Sequence, residues 1–298
     1  MPPVLPSTAR IAAHRGRYGS ARPPALAALP LPPSRMPGRR GARPLKRWRY
    51  VGVYGPELML CVGVAQVGPG RQSFWAVWDR AAGRLHERTR LRRGSVQLGL
   101  DQPGRVLVHD GAVTIDLTLD EVDGVETVCP VGPRPGDAFA WTRKQGGVRA
   151  RGVVTVDGAT RELDALAVID DSAGYHARHT AWQWCAGVGR ADDGRAVAWN
   201  LVAGINDPPH DSERTVWVDG EPAEVGPEAR FADDLSAVAT DDGVDLRFAA
   251  EAVRERRENL LVVRSSYRQP FGTFAGTLSG GLALAEGWGV MEQHTALW

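Results

Sequence analysis

The chain has 298 residues, 43% of them hydrophobic and 24% charged, which is the composition of a folded globular protein and excludes a disordered one. Its formal net charge of +1 hides an asymmetry: residues 1–50 hold eleven of the 36 basic residues and none of the 35 acids, leaving the rest with 25 basic and 35 acidic residues, or −10. The apolar run within 58–70 is too short to span a bilayer and contains Gln, Pro and Gly, so no transmembrane helix is expected.

Residues 1–45 form a Pro- and Arg-rich arm without periodicity. Prolines at 23, 24, 30, 32, 33, 37 and 44 forbid a continuous helix and favour extended chain. They also spoil the amphipathic helix of a transit peptide. A nucleic-acid or membrane-binding arm would use the same charge, but the plainer expectation is an irregular arm that docks in part on the acidic body; a nucleic-acid partner is not expected.

From Trp48 onward the pattern is β. Trp48–Tyr54 and Leu58–Val67 flank the turn dipeptide Gly55-Pro56, and Ser73–Asp79 alternates Phe74, Ala76 and Trp78 against Trp75 and Val77. Further strands are predicted at 84–90, 95–100, 105–109, 112–119, 124–130, 137–143, 147–156 and 160–169. Asp170-Asp171-Ser172 then reads as turn composition, with Asx-type side chains bonding the backbone two residues on. In the second half, strands are predicted at 180–188, 195–203, 214–218, 236–240, 243–250, 259–269, 271–279 and 281–293, with one candidate short helix at Ala250–Arg257. Asp-Gly occurs at 110–111, 123–124, 157–158, 193–194, 219–220 and 242–243, mostly between alternating apolar runs. Both residues tolerate positive φ, so the dipeptide is a hairpin signal, and six of them imply an antiparallel meander. The expected fold is all-β, with a first barrel-like module over 46–170 and a second over 171–298; closure removes the exposed edges so long a meander would otherwise present.

Cys61, Cys129 and Cys185 are odd in number and without a Cys-x-x-Cys spacing, which points to free thiols in a reducing cytoplasm. No Gly-x-Gly-x-x-Gly, Gly-Lys-Ser/Thr or Gly-x-Ser-x-Gly motif is present, so dinucleotide, P-loop and nucleophile-elbow chemistry are disfavoured and no cofactor is expected.

Reactive groups concentrate in Asp170–Trp184. Asp171 is the candidate general acid against its turn role. His176 and His179 are candidate acid/base or hydrogen-bonding groups against a structural role; a metal would need a third ligand such as Asp171, Glu292 or His294 brought in from elsewhere, and a metal site is not expected. Arg178 is a candidate clamp for an anionic group, or an ion-pair partner of an Asp. Tyr175, Trp182, Trp184, Trp199, Asn200 and His294 are candidate ligand-binding residues, the indoles serving equally as barrel core or pocket wall.

Trp48-Arg-Tyr-Val-Gly-Val-Tyr-Gly-Pro56, Trp199-Asn-Leu-Val-Ala-Gly204, Val216-Trp-Val-Asp-Gly220, Ser265-Ser-Tyr-Arg-Gln-Pro-Phe-Gly272, Gly289-Val-Met-Glu-Gln-His294 and the central Gly-Tyr-His-x-Arg-His-Thr-x-Trp-x-Trp resemble the uncharacterised domain of unknown function 2804. More distantly the chain is similar to tandem lipocalin-like proteins that include carotenoid hydratases and tocopherol cyclases. That resemblance implies two barrel-like modules and a lipophilic, terpenoid-type ligand. Two functions follow as expectations: a protein binding a lipophilic small molecule in an aromatic-lined β-barrel pocket, or a cofactor-independent hydratase or cyclase using acid catalysis. A third, an interaction protein tethered by its basic arm, rests on charge alone.

Overall fold

The computed structural model describes residues 11–91, 95–99, 102–132, 138–260 and 263–297. Residues 1–10 of the arm, residues 100 and 137 at the ends of two predicted strands, and 261–262 within a third lie outside the described residues.

The strands of the first half are β1 (His14–Arg17), the two-residue pair β2 (Arg39–Arg40) and β3 (Arg43–Pro44), β4 (Lys46–Tyr54), β5 (Leu58–Val67), β6 (Gly70–Asp79), β7 (Arg84–Leu91), β8 (Val96–Gly99), β9 (Gln102–Asp110), β10 (Val113–Leu119), β11 (Val125–Pro130), β12 (Phe139–Val156) and β13 (Ala159–Gly174). All but β2 and β3 join one antiparallel sheet in the order β7-β6-β5-β4-β13-β12-β10-β9-β8, with β11 on the early part of β12 and β1 outside it. The second half gives β14 (His179–Ala191), β15 (Ala196–Ala203), β16 (Thr215–Val218), β17 (Glu221–Glu224), β18 (Ala229–Phe231), β19 (Ala237–Thr240), β20 (Asp245–Leu260), β21 (Val263–Leu278) and β22 (Leu282–Leu297). Its sheet runs β17-β16-β15-β14-β22-β21-β20-β19-β18.

Turn chemistry sets much of this register. At Asp157-Gly158 and Asp219-Gly220 both residues have positive φ, the two-residue turn whose twist matches the strands it joins. The candidate helix at Ala250–Arg257 is strand, part of β20. Its alternation is polar on both faces, with Arg254 buried and Glu255 and Arg257 exposed, a pattern that composition alone does not separate from a charged helix.

Each sheet curls until its ends meet, forming an all-β pair of half-barrels. Val51, Leu60 and Val77 from one end of the first sheet share an aliphatic core with Val106, Ile115 and Leu117 from the other. Trp199, Leu201, Leu246, Phe248 and Phe274 fill the second in the same way. Period-two alternation leaves every strand a second face, and these outer faces meet: Tyr54, Met59 and Cys61 pack with Ala186, Val202, Trp217 and Phe271 in a third core between the sheets.

The arm is more firmly attached than its composition suggests. β1 pairs with β11, and Ile11, Leu26, Leu31 and Met36 are buried against Phe139, Trp141 and Tyr175. Its arginines meet the acids of the body: Arg17 pairs with Asp123 at 2.7 Å, Arg22 with Glu126 at 2.5 Å, and Arg15 reaches the second half at the Ser212 carbonyl (2.6 Å) and Thr215 Oγ1 (3.0 Å). Among the described residues no helix is long and apolar enough to cross a membrane.

Candidate functional site

Where the outer faces diverge they leave a chamber of about 770 Å³. It lies between the half-barrels, whose own interiors are filled by side chains. The first sheet contributes Trp48 and Tyr50 from β4, Ala65 from β5, Phe74 from β6, Lys144 from β12 and Asp170 from β13. The second contributes Trp182 and Trp184 from β14, Arg254 from β20, Tyr267 from β21, and Glu292 and His294 from β22; Ile205, Asn206 and Glu213 come from the connection between β15 and β16. Residues two apart on one strand share a face, which pairs Trp48 with Tyr50, Trp182 with Trp184 and Glu292 with His294. Register completes the wall by setting Trp182 opposite His294, Trp184 opposite Glu292, and Asp170 between Lys144 and Tyr50.

Aromatic rings cross the chamber from sheet to sheet. Trp48 and Trp182 are parallel within 6°, centroids 6.5 Å apart; His176 backs Trp48 at 5.2 Å and His294 backs Trp182 at 4.2 Å. Each of these indoles turns its N–H onto a carboxylate of a neighbouring strand, Trp48 onto Asp170 (3.4 Å) and Trp182 onto Glu292 (2.8 Å). Glu292 also accepts from Gln269 Nε2 at 2.8 Å. Burial pushes the Glu292 carboxyl up to about 7, partly offset by the bonds from Trp182 and Tyr267. Lys144 Nζ lies 2.5 Å from Asp170 and 3.1 Å from Glu213. Burial disfavours its charge, but the two carboxylates outweigh that and hold the ammonium above its usual range; burial raises Glu213. Arg254 sits 4.3 Å over Phe74 and 5.0 Å over Tyr267, with Glu87 at 3.1 Å. Burial, reinforced by Arg254, lowers His294 to about 4, so it is neutral at pH 7, with Nε2 2.8 Å from Ser265 Oγ.

Of the residues singled out from sequence, Trp182, Trp184 and His294 line the chamber. Asp171 does not, because β13 runs on through it instead of turning: Asp170 faces the chamber and Asp171 the interior of the first half-barrel. There it accepts hydrogen bonds from Arg49 at 2.9 and 3.0 Å and from Arg143 at 2.7 and 3.0 Å, while Arg49 also pairs with Glu121. His176 is buried behind Trp48, and burial together with Lys46 and Arg43 lowers it to about 3. Arg178 and His179 are exposed where the chain passes between the sheets. Tyr175 donates its hydroxyl to the Pro37 carbonyl at 2.8 Å in the arm's core. Trp199 lies in the second half-barrel, 5.0 Å from Phe274. Asn200 supports the wall from behind, accepting from Trp184 Nε1 (2.8 Å) and donating to the Glu213 carbonyl (2.9 Å). Among the described residues no three His, Cys, Asp or Glu side chains are grouped to hold a metal ion.

The polar groups missed from sequence are Lys144, Glu213 and Arg254, while Glu292 is singled out there only as a distant metal ligand. Lys144 and Glu292 carried a usable signal: each is a charged residue in phase with inward-facing neighbours, Thr142 and Val290, on its strand. Glu213 sits in an irregular connection, where no period applies.

Glu292 gives the chamber a pH signature. A carboxyl raised from 4.5 to about 7 in the folded protein contributes stability that is fully present below pH 4.5 and lost as the pH rises through 7. Relative to Glu292→Gln, the wild type is expected to lose on the order of 2 kcal/mol between pH 4.5 and 7.5. His294 and His176 act in the opposite sense, losing stability as the pH falls below 6.5, but they are common to both proteins and cancel. Urea titrations of the pair at both pH values check this; a pH-independent difference contradicts it.

A family model described as Domain of unknown function (DUF2804) matches residues 92–298. No curated protein matches the chain. Among solved structures, a protein described as an AttH from Nitrosomonas europaea matches with TM-score 0.48 and 13% identity, covering 89% of this chain and 98% of the other. Kievitone hydratase from Nectria haematococca matches with TM-score 0.47 and 8% identity, covering 83% and 88%. CghA with Sch210972 matches with TM-score 0.38 and 12% identity, covering 96% and 98%.

Proposed function

The chain belongs to the DUF2804 family, and we propose that this member binds a lipophilic small molecule in the chamber between its half-barrels. The observation that carries this reading is the chamber itself: about 770 Å³, within the range of small-molecule sites, walled by Trp48, Tyr50, Phe74, Trp182, Trp184 and Tyr267 around a narrow polar strip. An apolar ligand seated there would take the aromatic wall out of contact with water, the main driving force for such binding. Protein incubated with a cell lipid extract and repurified is expected to yield a bound apolar species by mass spectrometry. Repeated recovery of none contradicts the proposal.

A second reading, a cofactor-independent hydratase or cyclase acting on a terpenoid or lipid, is favoured by one observation: Glu292, a carboxyl that burial holds near 7, in the wall of that chamber. In this reading Glu292 is the proton donor and Asp171, clamped by two guanidiniums, is structural. Glu292→Gln is then expected to abolish conversion of a bound molecule while leaving its retention intact; equal conversion by the variant rejects the reading.

A further inference from the structure

We infer that the molecule held in the chamber is a lipophilic organic cation, an amine or quaternary ammonium seated against the indole faces of Trp48 and Trp182, with Asp170, Glu213 and Glu292 as its counter-charges. The inference rests on the binding reading above and names the chemistry of the ligand.

Hydrogen-bond bookkeeping at the polar end of the chamber carries it. Most donors there are spent on the protein: Trp48 N–H on Asp170, Trp182 N–H and Gln269 Nε2 on Glu292, Trp184 N–H on Asn200, and Lys144 on Asp170 and Glu213, while Arg254 Nε, which makes no hydrogen bond, is held by its ion pair with Glu87. An acceptor is left over. Glu213 is 2% exposed, and its Oε2 has no hydrogen-bond partner. With their N–H groups turned away, and with one side of each ring backed by His176 or His294, the indoles can meet a ligand only through their remaining ring surface, the negative part of the quadrupole that attracts cations.

Charge runs the same way. Three carboxyls share this strip with one ammonium, Lys144. The Arg254 guanidinium is taken up by Glu87 and two rings, Arg256 by Glu258 at 2.6 Å, and Arg49, which also lines the chamber, by Asp171 and Glu121. Arg71 lies exposed at the rim, where solvent screens it. Burial holds Glu292 near 7 and raises Glu213, in the second case against the pull of Lys144, the response of carboxyls taken out of water. A bound ammonium supplies both the missing positive charge and a donor.

Three matched probes, pyrenylmethylammonium, pyrenylmethanol and pyrenecarboxylate, test this by fluorescence titration of the full chain at pH 8. The ammonium is expected to bind roughly tenfold more tightly than the alcohol, with the carboxylate weakest. Glu213→Gln is expected to erase most of that preference, with circular dichroism and a cooperative thermal transition showing that the variant is folded; a folded variant that keeps the full preference overturns the role of Glu213. Alcohol or carboxylate binding as tightly as the ammonium overturns the cation assignment and leaves the chamber as a lipophilic site. Binding of none of the three overturns both.

Discussion

Replacing Asp171 with Asn is expected to lower the free energy of unfolding by about 3–5 kcal/mol, the cost of breaking a buried ion cluster from one side. Asp171 is 3% exposed and stands on β13 between Arg49 of β4 and Arg143 of β12, bonded to both. The Arg49 side chain is fully buried. Without the carboxylate, Glu121 is left as the acid paired with both guanidiniums, and positive charge remains uncompensated in a low-dielectric interior. The comparison is Asp164→Asn, which removes the partner of Arg149 in a pair whose side chains are 51% and 53% exposed. Solvent screens that pair, and its loss is expected to cost under about 1 kcal/mol. Urea denaturation of both variants checks the contrast; similar losses would mean that the Asp171 cluster contributes no more than a surface pair.

Gly146→Val is expected to destabilise the protein by about 2–3 kcal/mol, through the packing of one half-barrel on the other. Gly146 lies on β12 of the first sheet, and a Cβ there would fall 2.3 Å from Trp217 Cε3 on β16 of the second. The indole occupies the space a side chain would need, in the core between the sheets. It is 3% exposed and has little room to withdraw. Trp217→Ala removes the obstacle while leaving a cavity, so the double variant is expected to be more stable than the sum of the two single losses predicts. Thermal and urea unfolding of the four proteins measure that coupling. Additive losses would place the strain elsewhere, most directly in the bulge between Gly146 and Val148, where Gly147 has φ +72°.

The all-β architecture was legible because its signals are local. Asp157-Gly158 and Asp219-Gly220 specify their hairpins without help from the rest of the chain, and alternation fixes which side of a strand faces which core. The site was less legible because both sheets build it. Trp48 and Asp170 are 122 positions apart and meet through the β4–β13 register; Trp182 and Glu292, 110 apart, meet through β14–β22. Indole content alone could not say which Trp lines a cavity and which fills a barrel: Trp184 and Trp199 lie on adjacent strands and serve opposite ends. The acidic pair was misjudged for a nameable reason. Asp170-Asp171-Ser172 has turn composition, but Lys144, Arg143 and Arg49 wait across the ladder for both acids, so the strand continues and parts them onto opposite faces. Tertiary pairing overrode local preference.

The chamber's role as a binding site is tested most directly by filling it. Ala65 is half-buried in the wall, and Ala65→Trp places an indole in the hollow. Native mass spectrometry of wild type and variant after the same exposure to lipid extract is expected to show a mass-shifted one-to-one complex for the wild type and bare protein for the variant, at unchanged thermal stability. The same bound species on both proteins, or on neither, contradicts the assignment.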